Sequence, residues 1–174
     1  MHNLIIRIAA GAAFSMVLAG CATHSEIVTG NTAAARAPVV IVKERSFANC
    51  PKFSQKKSFS ILSSAQYWRE HQRSAVLVPN DLKQWDPDFS RSTVLMLSLG
   101  QDKTQGWRVH SGTGIKRVGD ELQVPVVIAK PSVDESVGDA QVNPCMYLQV
   151  TGADYKVISV IEQESGQVMF KSAL

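Results

Sequence analysis

The chain reads as an α+β domain: an antiparallel β-sheet or flattened β-sandwich carrying one packed helix. Three observations predict this. After residue 88 the apolar stretches are short, rich in Val and Ile, and bounded by Gly, Asn or Asp, as strands are. Two pairs of those stretches flank compact turn sequences, the mark of hairpins. A single helix start, a capping box ahead of aromatic residues, precedes them all. One early helix followed by a run of hairpins is the α+β order.

Each element has its own signal. Residues 39–42 are a β-branched run and a first strand. Phe59 and Ile61 alternate with serines as a second. Ser63, Ser64, Ala65 and Gln66 match a capping box, with Ser63 as N-cap and Gln66 reaching back to it. The helix that follows runs to His71 or Gln72. Spacing places Tyr67 with His71 on one face and Trp68 with Gln72 on another. Between Pro79 and Pro87 one helical turn fits at residues 81–85. Residues 94–99 are almost continuously apolar, which predicts a central strand buried on both faces. Residues 107–118 and 121–129 flank Gly119 and Asp120 and read as a hairpin. Residues 146–150 and 155–161 form a second pair around Gly152, Ala153 and Asp154, and residues 167–171 close the sheet as an edge strand.

The first twenty residues are different in kind. Arg7 is their one charge, and residues 8–18 are an apolar core broken by Gly11 and Ser15. That run is too short to span a bilayer as a permanent helix but has the length of a signal-peptide core. Leu18, Ala19 and Gly20 then lead directly into Cys21. The series resembles the lipobox of bacterial lipoproteins, which implies a diacylglyceryl group on the Cys21 sulfur, cleavage before Cys21, and acylation (typically palmitate) of its new amine. Several acyl chains, at about 0.8 kcal/mol per buried methylene, hold a protein on a membrane where one chain holds it marginally. The residue after the cysteine is Ala22 rather than Asp, which by the enterobacterial sorting rule implies the outer membrane, facing the periplasm. The expected organisation is therefore a signal peptide at residues 1–20, a flexible tether at 21–37 made of small and polar residues, and a single β-rich domain at 38–174.

Composition narrows the partners. The net charge is +3, or +2 once Arg7 leaves with the leader. A near-neutral chain lacks the concentrated basic face that phosphate binding requires, so nucleic acid is not expected as a partner. Lys52, Lys56 and Lys57 cluster locally, as a solvated edge does. With Cys21 assigned to lipid, Cys50 and Cys145 remain as a pair for an oxidising compartment and are expected to form a disulfide; two separate buried thiols are the alternative. Neither has a second Cys or His at zinc-ligand spacing, so no metal is expected.

Searches for catalysis end empty. His2 lies in the leader and His24 in the tether, leaving His71 and His110. Ser111 follows His110, but adjacent strand residues point to opposite faces, and the context is not a nucleophile elbow. Gly112 and Gly114 lack the lysine of a phosphate-binding loop. Asp134, Glu135 and Asp139 lack the ligand alternation of a calcium loop. No catalytic residue and no cofactor is expected, and the chain is not expected to be an enzyme.

One ordered series carries a family likeness. Asp88, Phe89, Ser90 and Arg91 precede the apolar run Val94, Leu95, Met96 and Leu97; Gly100 and then Thr104, Gln105, Gly106 and Trp107 follow. With the helix start at Ser64 to Trp68 ahead of it, and Pro131 and the strand around Tyr155 after it, the series resembles the C-terminal domain family of the protease-complex subunit PrcB over about residues 58–161. Gln105 and Trp107 depart from the Thr-Gly-Gly-Tyr of that family's pattern. The likeness implies association with a secreted or surface protease complex rather than catalysis. Each residue also has a folding role: Asp88 accepts backbone N–H bonds in the turn before the strand, and Phe89 enters the core. The leading expectation is a membrane-anchored envelope lipoprotein that contacts another envelope protein, a protease or its assembly being the implied partner. The loop Thr104, Gln105, Gly106 and Trp107 is the candidate contact. The alternatives are a protease inhibitor presenting that loop, and a carrier of a small ligand.

Overall fold

A computed structural model of the chain describes residues 38–51, 55–75, 78–101, 103–132, 138–152 and 154–174. Cys21, His24, Lys52, Asp134 and Glu135 lie outside the described residues, as do all of residues 1–37, where the leader and tether are expected. The architecture is mostly antiparallel β-sheet with one main helix.

Strand β1 (Ile41–Phe47) is followed by β2 (Ser58–Leu62), helix α1 (Ala65–Ser74), the short α2 (Asn80–Lys83) and β3 (Ser92–Ser98). Then come β4 (Lys103–Thr104), β5 (Arg108–Ser111), β6 (Lys116–Val118) and β7 (Glu121–Ala129). The chain ends with β8 (Gln141–Val142), β9 (Cys145–Thr151), β10 (Val157–Glu162) and β11 (Val168–Ala173). One sheet has the order β1-β9-β3-β2, and all its pairs are antiparallel. A second has the order β11-β10-β7-β5, with β6 also on β7; β4 and β8 form a separate two-stranded ladder.

Strand β3 is buried along its whole length, as its continuous apolar run predicts. Its alternation explains why. Leu95 and Leu97 turn into a core shared with the second sheet, with Met146, Leu148 and Val150 of β9, Leu122, Val124 and Val126 of β7, and Ile158 and Val160 of β10. Val94 and Met96 turn the other way, into a cluster with Leu62, Trp68, Leu82, Trp85, Cys145 and Tyr147. The first sheet is thus the middle of three layers, with helix on one side and sheet on the other.

Side chains join the two sheets at their margins. On one margin Glu44 of β1 accepts hydrogen bonds from the Ser111 amide (3.0 Å) and the Ser111 hydroxyl. The Ser46 hydroxyl donates to the Val109 carbonyl at 2.6 Å. On the other margin Phe59 of β2 stacks on Phe170 of β11, ring centroids 5.8 Å apart.

Several boundaries differ from the sequence reading. The N-cap of α1 is Ser64, not Ser63: its hydroxyl accepts from the Tyr67 amide at 3.2 Å, a contact worth about 1 kcal/mol. The helix continues to Ser74, two to three residues beyond the expected stop, and α2 occupies 80–83 rather than 81–85. The expected strand at 107–118 is two strands, β5 and β6, both paired with β7; the hairpin at Gly119 and Asp120 is β6 with β7. The largest correction concerns residues 146–150 and 155–161, which are not a hairpin. Strand β9 is already paired on both sides, by β1 and β3, so no edge is open to β10. The chain therefore crosses layers, and β10 pairs in parallel with β7 and antiparallel with β11. Parallel neighbours need such a long crossover, and the run from β7 through β9 supplies it.

Candidate functional site

The Thr104 to Trp107 loop begins in the β4–β8 ladder, where Lys103 pairs with Val142 and Thr104 with Gln141. Gly106 then has φ +91°, a left-handed conformation that L side chains resist, and it reverses the chain directly before Trp107. Thr104 and Gln105 are exposed, and the Gln105 side chain lies against Gly138. Trp107 is half-buried and rests on the core between the sheets.

Cations surround the Trp107 ring. The Lys103 ammonium sits 4.8 Å and the Lys130 ammonium 5.8 Å from its centroid, both within cation–π range. The Arg108 guanidinium donates to the Trp107 carbonyl at 2.9 Å. The four predicted loop residues are thus brought together, and the structure adds Lys103, Arg108 and Lys130 to them. The sequence signal for the lysines was weak, because Lys130 is 23 positions from Trp107 and reaches it only through the β5–β7 pairing.

The other predicted pair also meets. Cys50 and Cys145 form a disulfide, their Cα atoms 5.2 Å apart and 95 positions separated in sequence. Cys145 opens β9 on the helix side, and the Cys50 amide bonds to the Asn143 carbonyl at 2.7 Å, so the bridge fastens the segment after β1 to the central strand.

The helix layer holds a chain of buried polar contacts that the sequence did not signal. The Trp68 indole donates to the Trp85 carbonyl (3.1 Å), the Trp85 indole to Gln149 Oε1 (2.8 Å), and Gln149 Nε2 to the Ser92 hydroxyl (2.7 Å). Ser92 in turn donates to the Asp88 carbonyl at 2.7 Å. His71 shares a face of α1 with Tyr67, as its spacing predicts, and is itself buried with Nε2 2.8 Å from the Tyr147 hydroxyl. Burial pushes the Tyr147 phenol well above the ordinary tyrosine range, because no solvent reaches the phenolate. Asp88 does take the turn role expected of it. Its carboxylate accepts from the Ser90 hydroxyl (2.6 Å) and amide (3.0 Å), and those bonds, together with the Arg91 charge, hold its pKa below the ordinary value.

Beside this layer an open cavity of about 380 Å³ lies between β2 and α1, lined by Ser60, Ile61, Leu62, Tyr67, Glu70, His71 and Ser74. The helical residues recur at three- and four-residue spacing, a polar stripe that the aromatic pattern overshadowed in the sequence. Ser111 is engaged by Glu44, while the neighbouring His110 is exposed. None of the family models, curated proteins or solved structures compared with the chain matches it.

Proposed function

We propose that this chain is a membrane-anchored envelope lipoprotein whose β-rich domain is a non-enzymatic protein-interaction module, belonging to or assembling a protease complex. The Cys21 lipobox and the residue after it support an anchor at the outer membrane, with the domain facing the periplasm. The observation that carries the contact reading is the Trp107 patch: an aromatic ring seated on the core, framed by Lys103, Lys130 and Arg108, with Thr104 and Gln105 exposed beside it. Tryptophan and arginine are the residues around which binding energy concentrates at protein interfaces, and the cations favour an acidic partner surface.

The same geometry supports a contact knob better than an inhibitor. A protease cleft takes an extended strand, whereas Gly106 reverses the chain and β4 is tied to β8. The disulfide suits the oxidising compartment that this address implies.

Two measurements test the reading together. Labelling with radioactive palmitate is expected to mark the wild-type chain and not Cys21→Ser. Crosslinking in intact cells is expected to recover one defined envelope partner, and Trp107→Ala is expected to reduce that recovery at least tenfold while leaving the label in place. An unlabelled wild-type chain removes the anchor. Recovery indifferent to Trp107 removes the patch.

A further inference from the structure

Edge strands invite pairing with another chain unless charge, proline, a bulge or a cover protects them. Two edges here are guarded. The β1 edge is tied to β5 through Glu44 and Ser46, and its register with β9 shifts between Ile41 and Lys43. The β11 edge carries Lys171, paired to Glu121 at 3.0 Å, and its register with β10 shifts between Val160 and Ile161. The β2 edge differs. Its five residues, Ser58 to Leu62, include no charge and no proline, pair with β3 in unbroken register, and have no strand on their outer side among the described residues.

That open edge faces the groove beside α1. We propose that the β2 edge and the α1 flank form a strand-docking groove for an extended segment of another protein, in which a lysine or arginine stands between two apolar residues. Main-chain hydrogen bonds to β2 would supply the affinity, and alternate side chains the choice of segment.

The side-chain alternation of β2 fixes the pattern. Phe59 and Ile61 pack into the core between the sheets, and Leu62 packs on the helix side, so Ser60 faces the helix as well. A strand added beside β2 continues that alternation. One of its side chains enters the groove, and the residues before and after it turn toward the Phe59 and Phe170 rings. Inside the groove stand the Glu70 carboxylate, which also accepts from Gln66 Nε2 at 2.9 Å, and the Tyr67 ring, whose residue is 55% exposed. A carboxylate and an exposed aromatic face together recognise a cationic side chain, the first by a charge-assisted hydrogen bond and the second by its quadrupole. A carboxylate entering the same groove meets repulsion. The charge also argues against a second copy of β2 as the occupant, because its groove-facing residue is Ser60, which brings no cation to Glu70.

This inference rests on the domain being an interaction module, but on a surface other than Trp107, and its test needs neither the anchor nor that patch. The full chain in detergent, with its disulfide intact, is titrated against fluorescein-labelled peptides centred on Val-Lys-Val, on Val-Glu-Val, and on Val-Lys-Val with alternate backbone nitrogens methylated. The lysine peptide is expected to bind at least tenfold more tightly than the glutamate peptide, and methylation is expected to cost at least tenfold. Glu70→Gln, on an exposed helix position, is expected to abolish most of the lysine preference while the fold is retained. Amides of residues 58–62 should exchange more slowly in the complex. No binding of the lysine peptide, equal binding of the two charges, or indifference to methylation each overturns the proposal. So does protection of 58–62 by the chain's own dimerisation. None of these outcomes touches palmitate labelling or the Trp107 crosslink, so the broader reading fails or survives separately.

Discussion

Leu95, Leu97, Met146 and Leu148 on one side of the four-stranded sheet join a core dominated by Leu, Val and Ile. Val94, Met96, Cys145 and Tyr147 on the other side face Trp68, Trp85 and the helices, and that layer is threaded by indole, amide and hydroxyl contacts and closed by a disulfide. The same two strands, β3 and β9, therefore support two kinds of packing one residue apart. Aliphatic packing asks only for apolar volume in the right period, and tolerates exchange of one such residue for another. Packing with buried donors and acceptors asks for named partners, because each group left without one carries its desolvation penalty.

The sharpest way to break this contrast is to remove the covalent tie on the helix side. Replacing Cys50 and Cys145 together by alanine opens a loop whose ends are 95 positions apart, which costs about 4–5 kcal/mol in the chain-entropy account. Urea unfolding under oxidising conditions measures it. Trp68 and Trp85 emission should shift to the red in the variant before the sheet signal is lost, since the loosened layer holds both rings. A loss below about 1 kcal/mol would mean that the helix side stands without its tie.

The contrast also explains what the sequence disclosed. The two-sided burial of β3 was legible because the apolar run from Val94 to Leu97 is unbroken; β9 carries the same signal in Met146, Tyr147, Leu148 and Val150. Taken alone, that run fits one arm of a hairpin. Its meaning as a central strand required knowing that β1 and β3, both far upstream in the chain, occupy both of its edges. The disulfide followed from cysteine counting in an oxidising address, independent of geometry. The Trp107 loop was legible as residues and not as a site, since Lys130 arrives through strand pairing. The wiring of Trp85 to Gln149 was not legible at all: a glutamine 64 positions away in an apolar strand carries no local sign of its partner.

A matched pair of conservative changes sharpens the comparison at intermediate cost. Leu148→Met on the sandwich side keeps apolar volume and is expected to cost less than about 1.5 kcal/mol, although Leu148→Ala at this fully buried position should cost about 3 kcal/mol. Trp85→Phe keeps an aromatic ring but deletes the donor to Gln149 Oε1, and should cost about 2 kcal/mol. Chemical unfolding of the three variants gives the ranking. If Trp85→Phe proves milder than Leu148→Met, the polar contacts are incidental to the helix layer.

The smallest effect is the most diagnostic, because pH reverses its sign. Tyr147→Phe removes the hydroxyl that meets His71 and should cost about 1 kcal/mol at neutral pH. Burial raises the phenol's pKa in the folded chain, while the unfolded chain titrates near the ordinary value of about 10. Above that pH the unfolded state sheds a proton that the folded state keeps, so folded stability is full below it and falls as pH rises. The loss grows by about 1.4 kcal/mol for each pH unit above 10, and phenylalanine, which has no proton to shed, escapes it. Wild type should therefore be the more stable protein at pH 8, and Tyr147→Phe its equal or better by pH 11. Tyr155, also raised by burial, contributes to both proteins and cancels from the difference. Urea midpoints of the two proteins at pH 8, 10 and 11 read the crossing. Tyrosinate absorbance near 295 nm should gain the Tyr147 component only as the chain unfolds. Parallel slopes would show that the phenolate is accommodated in the fold, and that the helix side is wetter than its packing describes.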